Sequence, residues 1–281
     1  MSSSRSHSQV TQFADCGYKY YLSRKRDSVQ RPSWALIGGR AIHATIETFE
    51  RKATYAETHK RPDAWPSAAQ ARTWFRNHML NEIEKEKDSA PPEYMELSDW
   101  SAANKGKEDF AWWLREGTLM AQYYAEMNPA NRGFSTVLLE PGKLALEVRL
   151  ELDFGSVKDV LIADHMTLDK YGVVDIIDYK SGRMLPQDRG LQVITTAHAV
   201  QQLYPHLDVR GGSYFDLRKG KMSRVYQTDE IPLDAIVHMY ETMDRAESAG
   251  LYLPRVSSFC TSCYVRRDCV YGGEATQLYT E

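Results

Sequence analysis

Residues 172–182 read GVVDIIDYKSG, an apolar run that closes on an acid, a tyrosine and a lysine before Ser181-Gly182. Val173, Val174, Ile176 and Ile177 give the stretch the texture of a buried strand. Asp178 and Lys180 stand two residues apart, so on a strand both side chains leave the same face. The run before it, VKDVLIADHMTLD (157–169), reads as a second strand. If the hairpin between them turns about Tyr171, positions whose numbers sum to 342 lie opposite, and Asp164 faces Asp178 across the ladder.

Two carboxylates side by side repel, and burial makes the repulsion worse unless a cation neutralises them. A divalent ion resolves the conflict. Hard oxygen donors favour Mg2+ or Mn2+ over zinc, and such an ion activates water and stabilises charge on a phosphoryl oxygen. Lys180 adds a positive point charge for the attacking water or the pentacovalent phosphate. A D-x-K triplet on an exposed ladder would be only an ion pair. Here the apolar run before Asp178 and the Ser-Gly stop after Lys180 place the acids at the end of a buried strand.

Outward from this pair, STVLLE (135–140) and LALEVRLELDFG (144–155) are further β-rich runs. Residues 187–204 read as a helix, 209–217 and 221–227 as a strand pair, and 232–249 as another helix. Upstream, 8–26 is helical in character, with Tyr18, Tyr20 and Tyr21 packing inward. A helix beginning at Trp34 carries Ile42, Ile46 and Phe49 at helical spacing, with His43 in its first turns. From about 62 to 130 the chain is polar and helical, its tryptophans serving as anchors to a core. Helix, strands, helix, strand describes an α/β (α+β) layered fold with a mixed central sheet. The expected organisation is one domain over 1–281 with a helical insertion at 55–130.

With 42% apolar residues among 281, the chain can bury a large core. It offers no secretion-signal pattern and no run of 18 apolar residues, which predicts a cytoplasmic protein without membrane partners. Its net charge is only −3, so a nucleic acid must be held by local basic clusters. Arg24-Lys25-Arg26 with Arg31, Arg218-Lys219 with Lys221 and Arg224, and Arg266-Arg267 are the candidates. Cysteine usage is lopsided: Cys16 lies near the start, whereas Cys260, Cys263 and Cys269 form C-x2-C-x5-C near the end. In such a chain, close cysteines read as metal or cluster ligands before disulfides.

Taken together, these motifs resemble the RecB-like branch of the PD-(D/E)XK nucleases, and more closely its iron-sulfur members: AddB nuclease domains, CRISPR-associated Cas-four exonucleases and phage recombination exonucleases. The resemblance runs from Ser8 to Cys269, with no family motif at 55–130. GGRAIH implies His43 as a helical metal ligand, and IADHM implies Asp164 as the first acidic ligand. IIDYKSG implies Asp178 as the second, the Tyr179 carbonyl as a further metal contact and Lys180 as the catalytic lysine. Gln192 resembles the motif glutamine that orients the site.

Cys16 with Cys260, Cys263 and Cys269 in the 255–281 tail resembles the four ligands of the family's [4Fe-4S] cluster, with Zn2+ the chemical alternative. Leu161, Thr196 and Gly17 depart from the pattern, where Gly, Tyr and Pro are common. None of these departures removes a ligand. No G-x-x-x-x-G-K-[ST] loop is present, so the chain carries no P-loop motor of its own.

The resemblance implies a deoxyribonuclease, an exonuclease of single-stranded DNA or DNA ends in recombination, repair or replication. It would work with Mg2+ or Mn2+, beside a separate helicase or recombination protein. The competing reading is a non-cleaving iron-sulfur DNA-binding subunit of a helicase-nuclease or integrase complex.

Overall fold

A computed structural model describes residues 4–26, 30–153, 158–183 and 188–272. The last nine residues of the 255–281 tail lie outside the described residues.

The N-terminal segment contains β1 (Ser4–Ser6), α1 (His7–Asp15) and α2 (Gly17–Arg24). The continuous helix expected there is broken at Cys16, whose φ of −164° and ψ of 102° are extended. Cys16 caps both helices at this break: its N–H reaches the Gln12 carbonyl at 3.0 Å and its carbonyl accepts from the Tyr20 N–H at 3.1 Å. Ser6 starts α1 with a capping box, in which its hydroxyl meets the Gln9 N–H and the Gln9 side chain returns to the Ser6 N–H.

Three long helices follow: α3 (Trp34–Thr58), α4 (Ala68–Ser89) and, after the single turn α5 (Ala103–Gly106), α6 (Phe110–Met127). The stretch expected as a helical insertion is helical, and it packs directly on α3. Gly38 of α3 makes this packing possible: a Cβ there would lie 2.1 Å from the buried Trp113 ring of α6. Gly117 of α6 gives the same room to Phe75 of α4. Trp113, Phe75, Met79, Phe49 and Ile42 then form a core that continues onto the sheet through Ile177, Tyr179 and Phe215.

The strands are β2 (Phe134–Thr136), β3 (Leu138–Glu140), β4 (Lys143–Leu144), β5 (Leu146–Asp153), β6 (Lys158–Asp169) and β7 (Val173–Lys180). Helix α7 (Leu191–Leu203) then leads to β8 (Asp208–Asp216), β9 (Lys221–Met222) and β10 (Tyr226–Gln227), and α8 (Leu233–Ser248) follows. The principal sheet runs β1-β6-β7-β8-β10, with β5 and β2 also on β6 and β9 on β8. It is mixed: β6 and β7 are antiparallel, whereas β7 and β8 are parallel with α7 between them in sequence. A second core, with Leu150, Leu161, Met166, Val174 and Ile176, packs α7 through Ala197 and Val200 against the sheet. This is an α/β core with helices on a mixed sheet. No helix of the described residues is long and apolar enough to cross a membrane.

The β6–β7 hairpin has the expected register. His165 pairs with Ile177, Met166 with Ile176, Thr167 with Asp175 and Leu168 with Val174, and each pair sums to 342. Beyond His165 and Ile177 the two strands part. Asp178, Tyr179 and Lys180 continue in register with Tyr214, Phe215 and Asp216 of β8, while β6 continues on β5 and β1. Asp164 and Asp178 therefore sit at the mouth of a fork in the sheet.

Candidate metal-dependent nuclease site

At the fork, the main chain of Tyr179 has lost its β6 partner, and two side chains take its place. Its N–H donates to Asp164 Oδ2 at 2.9 Å, and its carbonyl meets His43 Nε2 at 2.9 Å. His43 projects from α3, and its Nδ1 lies 3.4 Å from Asp164 Oδ2 and 3.2 Å from Glu147 Oε1. His43, Glu147 and Asp164 each offer a donor atom within 4.8 Å of the others, a grouping suited to a metal ion.

Glu147 belongs to this group although the sequence reading passed over it. The β5–β6 ladder pairs Leu146 with His165 and Val148 with Ala163, a register summing to 311 that sets Glu147 opposite Asp164. Its φ is +49°, left-handed for a residue with a side chain. The β5–β6 register thus sets Glu147 beside Asp164, while Asp178 lies one residue past the last β6–β7 pair, His165–Ile177. A signal existed: the midpoint of that register falls between Gly155 and Ser156, a natural turn pair in FGSV.

Asp178, in register with Tyr214 of β8, turns its oxygens to Gln192 and Lys180. Oδ1 accepts from Gln192 Nε2 at 2.7 Å, and Oδ2 lies 2.7 Å from Lys180 Nζ. Lys180 also donates to Gln192 Oε1 at 2.9 Å, so the glutamine bridges acid and lysine. Asp188 positions Gln192. It accepts from the Gly190 and Gln192 N–H groups at 3.1 and 3.2 Å, and the buried Tyr214 hydroxyl holds it at 2.7 Å.

Burial raises the carboxyls of Asp164 and Asp178, and the neighbouring acid (Glu147 for the first, Asp164 for the second) pushes each further. Burial depresses His43 in turn, but Asp164 and Glu147 outweigh it and hold the imidazole up at about 9. The imidazolium thus stands beside Asp164 and Glu147, as the Lys180 ammonium stands beside Asp178. A divalent ion taken up by Glu147, Asp164 and His43 must displace that proton. The donor set, two carboxylates and an imidazole beside a third acid, fits such an ion.

The four cysteines come together from opposite ends of the chain. Cys16, Cys260, Cys263 and Cys269 all line one cavity of about 430 Å³, with Tyr18 and Lys19 of α2. The Arg255 N–H points to Cys16 Sγ and the Ser257 N–H to Cys260 Sγ, each at 3.4 Å.

Several basic residues expected along a phosphate track have internal partners. Arg218 makes a two-pronged pair with buried Glu108 at 3.1 and 2.8 Å and donates to the Ser181 carbonyl at 2.6 Å. Lys219 pairs with Asp216, Arg224 with Glu230 and Lys25 with Glu247. Arg218 therefore struts the loop after β7 against the helical segment.

The family model described as the PD-(D/E)XK nuclease superfamily matches residues 4–270, and this chain belongs to that superfamily. The gene 69 protein of Mycobacterium phage D29 is similar to it, 24% identical over 277 residues that cover 94% of this chain and 96% of that protein. The site accordingly has the make-up of a metal-dependent nuclease centre.

Proposed function

We propose that this protein is a Mg2+- or Mn2+-dependent deoxyribonuclease of the RecB-like iron-sulfur branch, an exonuclease acting on single-stranded DNA or DNA ends in recombination, repair or replication. The observation that carries the reading is Asp164, which shares one close group of donor atoms with His43 and Glu147 and accepts from the Tyr179 main chain next to Lys180. His43, Glu147 and Asp164 would hold the ion, with Asp178 turning from Lys180 to join them. When bound, the ion supplies Lewis-acid activation of water and charge stabilisation on the scissile phosphate. Lys180 places its ammonium where negative charge develops on the phosphoryl oxygens, and Gln192 keeps that ammonium aimed by bridging it to Asp178. Tyr179 keeps Asp164 and His43 facing one point through its two main-chain bonds.

The cysteine cavity supports an iron-sulfur cluster as the second cofactor. Main-chain N–H groups aimed at Cys16 and Cys260 suit thiolates. A single zinc ion would draw four sulfurs to about 2.3 Å from one centre. A [4Fe-4S] cluster would instead take the four thiolates of Cys16, Cys260, Cys263 and Cys269 as its ligands. With no motor loop of its own, the chain would receive its strands from a separate helicase or recombination protein.

Digestion of end-labelled linear and circular single-stranded DNA tests the substrate class. Linear strands should be degraded from an end and circles spared. Equal rates on both would contradict the exonuclease reading.

A further inference from the structure

Behind the site, on the face of β7 that packs on α3 and α6, lies a buried polar ring that the nuclease chemistry does not use. Glu50, two turns after His43 on α3, is fully buried and makes a two-pronged pair with Arg132 at 2.6 and 2.6 Å. The Tyr124 hydroxyl of α6 lies 2.6 Å from Glu50 Oε1 and 2.9 Å from the Tyr179 hydroxyl. The Tyr179 hydroxyl is 2.7 Å from His165 Nδ1, and His165 Nε2 is 3.0 Å from Thr136 Oγ1. Thr136 Oγ1 also comes within 3.4 Å of Glu50 Oε2, which brings the two ends of the chain of contacts together.

Counting protons fixes the direction of this ring. An ionised Glu50 only accepts, so Tyr124 must donate to it. The one hydroxyl proton of Tyr124 is then committed, and Tyr179 must donate to the Tyr124 oxygen. Tyr179 in turn accepts from His165 Nδ1–H, which leaves Nε2 to accept the single Thr136 proton across 3.0 Å, so the longer 3.4 Å approach of Thr136 to Glu50 is a contact and not a second bond. The arrangement selects one tautomer of His165 and uses every donor once.

The residues that close this ring are sequence neighbours of the metal-site residues. His165 follows Asp164 on β6. Tyr179 lies between Asp178 and Lys180, and its own main chain holds Asp164 and His43. We infer that Glu50, Tyr124 and His165 are positioning residues for the metal centre, fixing the Tyr179 backbone and through it the geometry and affinity of the ion site. The last helix of the segment without family motifs would thereby contribute, through Tyr124, to metal binding about one residue layer away. The inference rests on the proposed metal-dependent reading of the site.

The test is Mn2+ binding by calorimetry on the full chain, for wild type, Tyr124→Phe and Thr136→Val, with Tyr240→Phe as a control. Tyr240 is another buried tyrosine, hydrogen-bonded to Asp159 away from the ring. Tyr124→Phe removes one hydroxyl and almost no volume, and it should weaken Mn2+ binding about tenfold, the lower end for partners of ligand residues. Thr136→Val should weaken it in the same direction, whereas Tyr240→Phe should lower thermal stability and leave the Mn2+ isotherm unchanged. In 15N spectra of wild type, His165 should carry its proton on Nδ1. A Mn2+ isotherm within about twofold of wild type for folded Tyr124→Phe overturns this inference alone. So does an Nε2–H tautomer at His165, which would serve as the deciding result if the ring variants fail to fold. A wild-type chain that binds no Mn2+ overturns the metal-site reading and this inference with it.

Discussion

Glu147 faces Asp164 across the β5–β6 ladder in a left-handed conformation that side-chain residues avoid, and it brings its carboxylate within 3.2 Å of His43. Strain of this kind, about 1 to 3 kcal/mol at a single residue, persists where surrounding structure imposes it, and such positions cluster at functional sites. Replacing Glu147 separates the two effects. Glu147→Gln should raise the Mn2+ concentration needed for half-saturation by about tenfold or more, because it removes one of two carboxylate donors. Glu147→Gly should lose metal binding to the same degree yet gain about 1 kcal/mol in urea denaturation, since glycine adopts this backbone freely. A Glu147→Gly protein less stable than wild type would show that the conformation is not strained.

Asp159 is a buried carboxylate on β6 whose Oδ2 accepts from Tyr240 at 2.6 Å, and burial raises it to about 6. A group whose folded value lies above its unfolded one binds more protons in the native state. Its stabilising contribution is therefore complete below about pH 4 and is lost as pH rises through about 6. Across that window the stability of Asp159→Asn relative to wild type should shift in favour of the variant by about 1 to 3 kcal/mol. Chemical denaturation at pH 4.5 and pH 8 measures the shift, and a difference independent of pH would remove the buried-acid account.

Gly38 lies against the Trp113 ring, so Gly38→Ala must drive α3 and α6 apart or tilt a fully buried indole. Overpacking of this sort costs about 1 to 3 kcal/mol. The unfolding midpoint should fall, and Mn2+ binding with it, because α3 carries both His43 and Glu50. Gly39→Ala, whose Cβ would meet only the Ser181 hydroxyl at 3.7 Å, should fold as wild type.

Cys16 and Cys260 lie at opposite ends of the chain but line one cavity, so a cluster there would close a very long loop. Anaerobically purified protein should be brown, and Cys16→Ala should lose the colour and unfold at a lower temperature, by a few kcal/mol if the cluster acts as a cross-link of that span. A colourless protein carrying one equivalent of zinc would replace the cluster with a zinc clasp.

Much of this arrangement was legible in the sequence because strands obey arithmetic. The apolar run into Asp178 and a turn at Tyr171 sufficed for the hairpin register, which holds from Leu168–Val174 to His165–Ile177, but the strands part before Asp164 and Asp178 can pair, because Tyr179 turns its N–H to the Asp164 side chain instead. The β5–β6 register was equally countable but went uncounted, and Glu147 was missed with it. Glu50 left a fainter trace: it falls on the side of α3 that buries Ile42, Ile46, Phe49 and Ala53, where a solvated charge does not belong. Its partners Arg132, Tyr124 and Tyr179 come from three separate elements, and no local pattern connects them. Charge counting misled at Arg218, since a basic cluster in sequence says nothing of the buried Glu108 that the fold presents to it. The break at Cys16 was also invisible to periodicity, because α1 and α2 each carry a helical pattern up to it.

The central claim is that the fork in the sheet is a metal-dependent phosphodiesterase centre in which Lys180 stabilises the developing charge. The measurement that meets it most directly is the single-turnover rate on end-labelled linear single-stranded DNA, for wild type and Lys180→Ala, in saturating Mn2+ and in EDTA. Wild type should cleave with Mn2+ and stop in EDTA, and Lys180→Ala should be slower by about 100-fold or more while still binding the strand. Cleavage by wild type in EDTA, or a Lys180→Ala rate within about tenfold of wild type, would contradict it.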